Sequence, residues 1–170
     1  MSFVQRLAFT RLKTFAGVAL AGVGLLAMAG SAFAQSQVED GLHVWKERGG
    51  CFNCHGNFGE GGEGGHFPAG PNLRRIQLDA DTIKEFIACG VPGTQMPYNL
   101  SGAYVEHSCY GGELGPVPGD VSAGAALSTD EIDALVAYLE ANVVGKRRVT
   151  KADCTAYYED ENAQECASYR

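Results

Sequence analysis

Cys51-Phe52-Asn53-Cys54-His55 is the stretch where residue type and spacing together specify a chemistry. Two thiols three positions apart at a helix start can each add to one vinyl group of a haem. The histidine that follows then lies beneath the iron as its proximal ligand. Two other uses of Cys-x-x-Cys fit less well. A thioredoxin-type redox pair needs a strand before it and a βαβ setting, and the sequence offers neither. A four-ligand zinc site needs a second tightly spaced pair, whereas the remaining cysteines are scattered. The motif points to one covalently attached haem c.

A second axial ligand follows almost by elimination. Beyond residue 34 the chain has one methionine, Met96, in Gly93-Thr94-Gln95-Met96-Pro97. A lone methionine usually fills a core. This one sits in a loop bounded by glycine and proline, which can place a thioether over the haem face away from His55. The rivals are His107, His66 and His43. His66 follows His55 by only eleven residues through a glycine-rich loop, and His107 is the better placed of the three.

The elements that would carry these residues read as helices. Val38, Leu42 and Trp45 share a helical face over Val38 to Arg48, which stops at Gly49-Gly50. Seven of the fifteen residues from Gly56 to Gly70 are glycine, so this is a loop. Asp79 or Asp81 can cap a helix running to Ala88 or Cys89, with Gly90 as its stop. Residues 91–127 carry repeated Gly and Pro punctuation and little periodicity, and are expected to be irregular. Ser128 and Glu131 form a capping box, and Ile132, Leu135, Val136 and Leu139 build an apolar stripe down to about Asn142–Gly145. The last 25 residues read as a polar tail. No strand is convincing, and the expected class is all-α.

The first 34 residues read as a secretory signal. Arg6, Arg11 and Lys13 precede an apolar run from Thr14 to Gly30, and Ala32-Phe33-Ala34 supplies small residues for cleavage after Ala34. The alternative is an uncleaved membrane anchor, for which a run of about 17 residues is short; cleavage leaves no anchor and places the mature chain in the periplasm. It also changes the charge. The whole chain has 13 Lys and Arg against 20 Asp and Glu, a formal charge of −7. The first 34 residues hold three of those cations and no acid, so the remainder stands at −10. Such a surface repels nucleic acid and suits a partner with a basic docking patch. In an exported protein the four cysteines outside the motif, Cys89, Cys109, Cys154 and Cys166, should pair, with three pairings open.

Two other motifs lead nowhere. Gly59-Glu60-Gly61-Gly62-Glu63-Gly64 matches G-x-G-x-x-G by letter, but it follows no strand and its glutamates would repel a phosphate. Lys146-Arg147-Arg148 with Lys151 reads as a solvated helix end. No Ser/His/Asp set or carboxylate pair suggests an enzyme.

Taken in order, these segments resemble the class I c-type cytochromes across about residues 38–144. The N-terminal helix precedes Cys51-Phe52-Asn53-Cys54-His55. Gly70-Pro71-Asn72-Leu73 is similar to the family's Gly-Pro-x-Leu segment, and Gly93 to Pro97 to its Met-Pro ligand loop. The helix from Ser128, with Leu135, Ala137, Tyr138 and Leu139, looks like the family's last helix, which crosses and packs on the first. The resemblance implies a cytochrome c fold, with Cys51 and Cys54 as thioether attachments and His55 and Met96 as axial ligands. It also implies that the Pro71 carbonyl accepts the His55 N–H.

The implied domain plan is a signal peptide at 1–34, a cytochrome domain at 35–145 and a tail at 146–170. The chain departs from the family in an insertion over about residues 97–127 and in that tail. Within the resemblance a Cys89–Cys109 bridge would tie down the insertion, and a Cys154–Cys166 bridge would close a hairpin in the tail. The implied activity is one-electron transfer, not catalysis. Acidic, disulfide-bearing members suggest a periplasmic dehydrogenase of the quinoprotein kind as donor and an oxidase as acceptor. The alternatives are a fixed haem subunit of a dehydrogenase complex, or a haem protein whose sixth site is labile.

Overall fold

The computed structural model describes residues 33–62, 67–112 and 115–170. It divides into a unit at Met1–Ser36, almost all of it outside the described residues, and a unit at Gln37–Arg170. Residues 1–32 of the signal segment, and His66, therefore lie outside the described residues.

In the second unit, residues 37–43 are helical and lead into a π-helical turn, Val44–Arg48 (together α1). A single helical turn, α2, covers Phe52–His55. Helix α3 spans Ala80–Cys89, and its Asp79 cap accepts a hydrogen bond from the Thr82 N–H. Helix α4 spans Thr129–Asn142 behind the Ser128/Glu131 capping box.

Helices α1 and α4 make the floor of the domain. Gly41 faces α4 so closely that a Cβ there would run into the Ala134 carbonyl and the Tyr138 side chain. Only the absence of a side chain permits that approach. Trp45 and Tyr138 meet beside it, ring centroids 6.1 Å apart. The core that results joins Val44, Trp45, Ile83, Leu127, Ile132 and Leu135, all buried.

The expectation of an all-α chain needs correcting. Residues 91–127 contain two short parallel strands, β1 at Tyr98–Leu100 and β2 at Ala123–Leu127, paired Tyr98 to Ala123 and Leu100 to Leu127. Their sequences, Tyr-Asn-Leu and Ala-Gly-Ala-Ala-Leu, lack the alternation and β-branched content that mark a strand. Tertiary contacts hold them instead. The Asn99 side chain accepts from the Ala125 N–H at 3.0 Å. Gly124 lies so close to Asn99 that any side chain there would collide with it.

The tail is also more than a polar extension closed as a hairpin. Helix α5 spans Lys151–Tyr158, capped by a second reciprocal box in which Thr150 and Asp153 bond each other's backbone N–H. A 3₁₀ segment follows at Gln164–Ser168. A Cys154–Cys166 disulfide joins the two, and both sulfurs are buried. Tyr157, Tyr158 and Tyr169 pack edge-on around Phe58, with centroids 5.2, 6.4 and 5.6 Å away. The tail thus covers Phe58, three residues after the Cys-x-x-Cys-His motif.

Arg74 fixes this junction. It is 1% exposed. Its guanidinium donates to the carbonyls of Phe58 (3.0 Å), Asn142 (3.1 Å) and Arg148 (2.6 Å) and to the Asp153 carboxylate (3.0 Å). One side chain so joins the loop, the end of α4, the connection after it and α5. The basic run after α4 is therefore only partly a solvated helix end: Arg147 and Arg148 are exposed, but their backbones bond to Arg74.

Candidate haem site

Cys51 caps α2, and its carbonyl accepts from the His55 N–H at 3.1 Å. One helical turn sets the side chains of residues 51, 54 and 55 toward the same side. All three line a single cavity of about 390 Å³, together with Leu73, Ile83, Ile87, Leu135 and Leu139. The wall is almost wholly aliphatic, aromatic and sulfur. Among the described residues Cys51 and Cys54 are the cysteines without a disulfide.

Burial decides the protonation of these groups. It pushes the Cys51 thiol up to about 12 and raises Cys54 as well. Both sulfurs are thus held as neutral thiols, the reverse of the depressed thiol that a redox Cys-x-x-Cys employs. Burial also lowers His55, opposed in part by its bond to Pro71. A neutral imidazole results, and its orientation is set from behind. His55 Nδ1 lies 3.1 Å from the Pro71 carbonyl oxygen, which can only accept, so Nδ1 carries the proton. Nε2 keeps its lone pair, the state a metal-bound imidazole requires.

Gly70 allows that contact. A Cβ there would sit 2.7 Å from His55 Nδ1, and the Gly70 N–H donates to the Cys54 carbonyl at 2.7 Å. Trp45 adds a lateral wall, its ring centroid 6.2 Å from that of His55.

Met96 lines the same cavity. Its loop folds back on itself: Val91 N donates to the Met96 carbonyl (3.1 Å), and Met96 N donates to Thr94 Oγ1 (3.1 Å). Gly90, with φ of 69°, is needed here because a Cβ would meet Tyr98 N at 2.7 Å and the Met96 carbonyl at 2.8 Å. Of the rival histidines, two are described and both are elsewhere. His43 and His107 are exposed and neither lines the cavity. His107 lies against the Cys89–Cys109 disulfide, within 4.8 Å of both sulfurs, and sulfurs so bonded are not free thiolate ligands.

Two neutral thiols, a neutral histidine fixed through its outer nitrogen and a thioether thus meet around one aliphatic cavity, a donor set that fits a covalent haem. Residues 36–106 match the family model described as cytochrome c oxidase, cbb3-type, subunit III. The matched stretch is similar to a c-type cytochrome domain. The matched stretch holds the attachment motif, Gly70 to Leu73 and the Met96 loop. No curated protein and no solved structure matches.

A c-type cytochrome domain carries a covalently bound haem c and serves electron transport between redox partners. The cytochrome domain has several supports that the sequence motifs did not single out. Arg74 was hidden because its worth comes from carbonyls distant in sequence. Asn99 and Asp120 gave no signal, since each bonds across the insertion. The Thr150/Asp153 box was legible as T-x-x-D and marks a helix inside the tail. Among the described residues, no helix is long and apolar enough to cross a membrane.

Proposed function

We propose that this cytochrome is an exported one-electron carrier whose haem is attached at Cys51 and Cys54 and ligated by His55 and Met96. The observation that carries the reading is the union of the Pro71-bonded His55 and Met96 in one cavity. When bound, haem c supplies one-electron exchange between ferric and ferrous iron. The chain's own residues do the rest. Pro71 fixes the His55 ring, and Trp45, Ile83, Ile87 and Leu135 exclude water from it. His55 and Met96 would hold the iron in both oxidation states, which would keep reorganisation small. A histidine and thioether pair would favour a potential above that of bis-histidine sites.

Export after cleavage at Ala34 into the periplasm is supported by the signal-like segment and by the two disulfides. The acidic surface favours partners with basic docking patches. The donor we propose is a periplasmic dehydrogenase, of the quinoprotein kind, and the acceptor an oxidase. No catalytic group is proposed. The test is direct. The holoprotein made in a host with haem attachment machinery, then denatured, should keep its haem on the chain and give a c-type pyridine haemochrome. Haem that extracts freely from the denatured chain would refute the attachment.

A further inference from the structure

The Met96 loop is exposed at its tip, where residues 92–95 face solvent. Its internal hydrogen bonds shape it but do not fix it to the domain. A tip of this kind opens at low cost, and opening would carry Met96 away from the cavity.

The insertion supplies attachments from outside. The Asp120 carboxylate accepts from the Gly93 N–H at 2.6 Å, three residues before Met96. On the other side Asn99 donates through Nδ2 to the Pro97 carbonyl (3.1 Å), the residue after Met96, and to the Ile87 carbonyl on α3 (3.1 Å). Its Oδ1 accepts from Ala125 N on β2 (3.0 Å), which satisfies the buried amide at three points. Tyr98 N donates to the Ser122 carbonyl (3.0 Å) and Ser101 N to the Leu127 carbonyl (2.8 Å). Met96 is therefore flanked on both sides by bonds to the returning limb of the insertion. The outgoing limb is tied to α3 by the Cys89–Cys109 disulfide, by the Tyr104 hydroxyl on the Cys89 carbonyl (2.7 Å) and by the Tyr110 hydroxyl on the Gly90 carbonyl.

We propose that the 97–127 insertion is a clamp on the Met96 loop, with Asn99 and Asp120 as positioning residues that keep the thioether in the cavity and outside ligands away from the iron. The clamp rests on Met96 being the sixth ligand. Asp120 restrains the tip, and Asn99 welds the Pro97 end to α3 and β2. Removal of either bond raises the fraction of time the loop is open, and an added ligand competes by that fraction.

The test titrates the ferric holoprotein with imidazole while following the weak far-red band of methionine-bound ferric haem. Asp120→Ala should bind imidazole about tenfold more tightly than the unaltered protein, the effect of losing one charge-assisted hydrogen bond. Asn99→Ala should gain at least as much. Lys84→Ala breaks an exposed α3–α4 ion pair with Asp133, away from the loop, and should leave imidazole affinity unchanged. A merely structural role would lower thermal midpoints without moving imidazole affinity. If Asn99→Ala does not fold, Asp120→Ala alone decides. Unaltered imidazole affinity in Asp120→Ala, with the far-red band present in the unaltered protein, overturns the clamp. An unaltered protein without that band removes Met96 as ligand, and the clamp's role with it.

Discussion

His55 Nδ1 sits 3.1 Å from the Pro71 carbonyl oxygen, and Gly70 is the residue that lets the chain pass that close. The position leaves no room for a methyl group. Gly70→Ala should push the ring off its acceptor and destabilise the domain by about 1–3 kcal/mol, the range for overpacking. Denaturant unfolding of the holoprotein measures it. A Gly70→Ala protein of unchanged stability and spectrum would show that the ring is not held from this side.

Arg74 should be the most costly single side chain to remove outside the haem site. Its loss takes a donor from the carbonyls of Phe58, Asn142 and Arg148 and from the Asp153 carboxylate, which keeps only the Thr150 N–H. Arg74→Met is expected to cost about 3–5 kcal/mol, as for breaking a buried ion pair on one side. Asp153→Asn keeps the side chain's shape and one acceptor oxygen and should cost less. Chemical denaturation of both variants gives the comparison.

Much of this was legible in the sequence, and what was missed shares a cause. Cys51, Cys54 and His55 stand out in the sequence because a covalent cofactor demands fixed local spacing. Helix α4 was found because Ser128, Glu131 and its apolar stripe are local signals. Strands β1 and β2 were not, since Asn99, Gly124 and Ala125 make sense only once the insertion has folded back. Arg74 reads as one more cation beside Arg75, and its four acceptors lie in the loop, the end of α4, the connection after it and α5. Helix α5 is the exception: Thr150 and Asp153 carried its start signal, but the charged residues around them favoured reading a tail.

The two disulfides should contribute unequally to function. Cys154–Cys166 closes a sequence separation of 12 and Cys89–Cys109 one of 20. Each should add about 2–4 kcal/mol in the loop-entropy picture. Cys154→Ser with Cys166→Ser should lower the thermal midpoint and leave the ferric spectrum as it was. Cys89→Ser with Cys109→Ser should lower it and also weaken the far-red band, because that bridge anchors the insertion. Equal spectra in both pairs would contradict the distinction.

Acid stability should depend on Glu131. Hydrogen bonds from Arg48 and from the Ser128 N–H hold its carboxyl below the ordinary range. A group depressed in the folded state stabilises above its unfolded pKa, about 4.3 for glutamate, and loses that contribution as pH falls through the folded value. The thermal midpoint of Glu131→Gln should therefore lie below that of the unaltered protein at neutral pH and approach it in acid. Parallel curves across the acid limb would contradict the assignment.

The most direct measurement of the central claim is the visible spectrum of the ferric holoprotein, beside that of Met96→Ala. A His55/Met96 site predicts the weak far-red band in the unaltered protein, its loss in Met96→Ala, and ready cyanide binding by the variant. A Met96→Ala spectrum identical to that of the unaltered protein would contradict it.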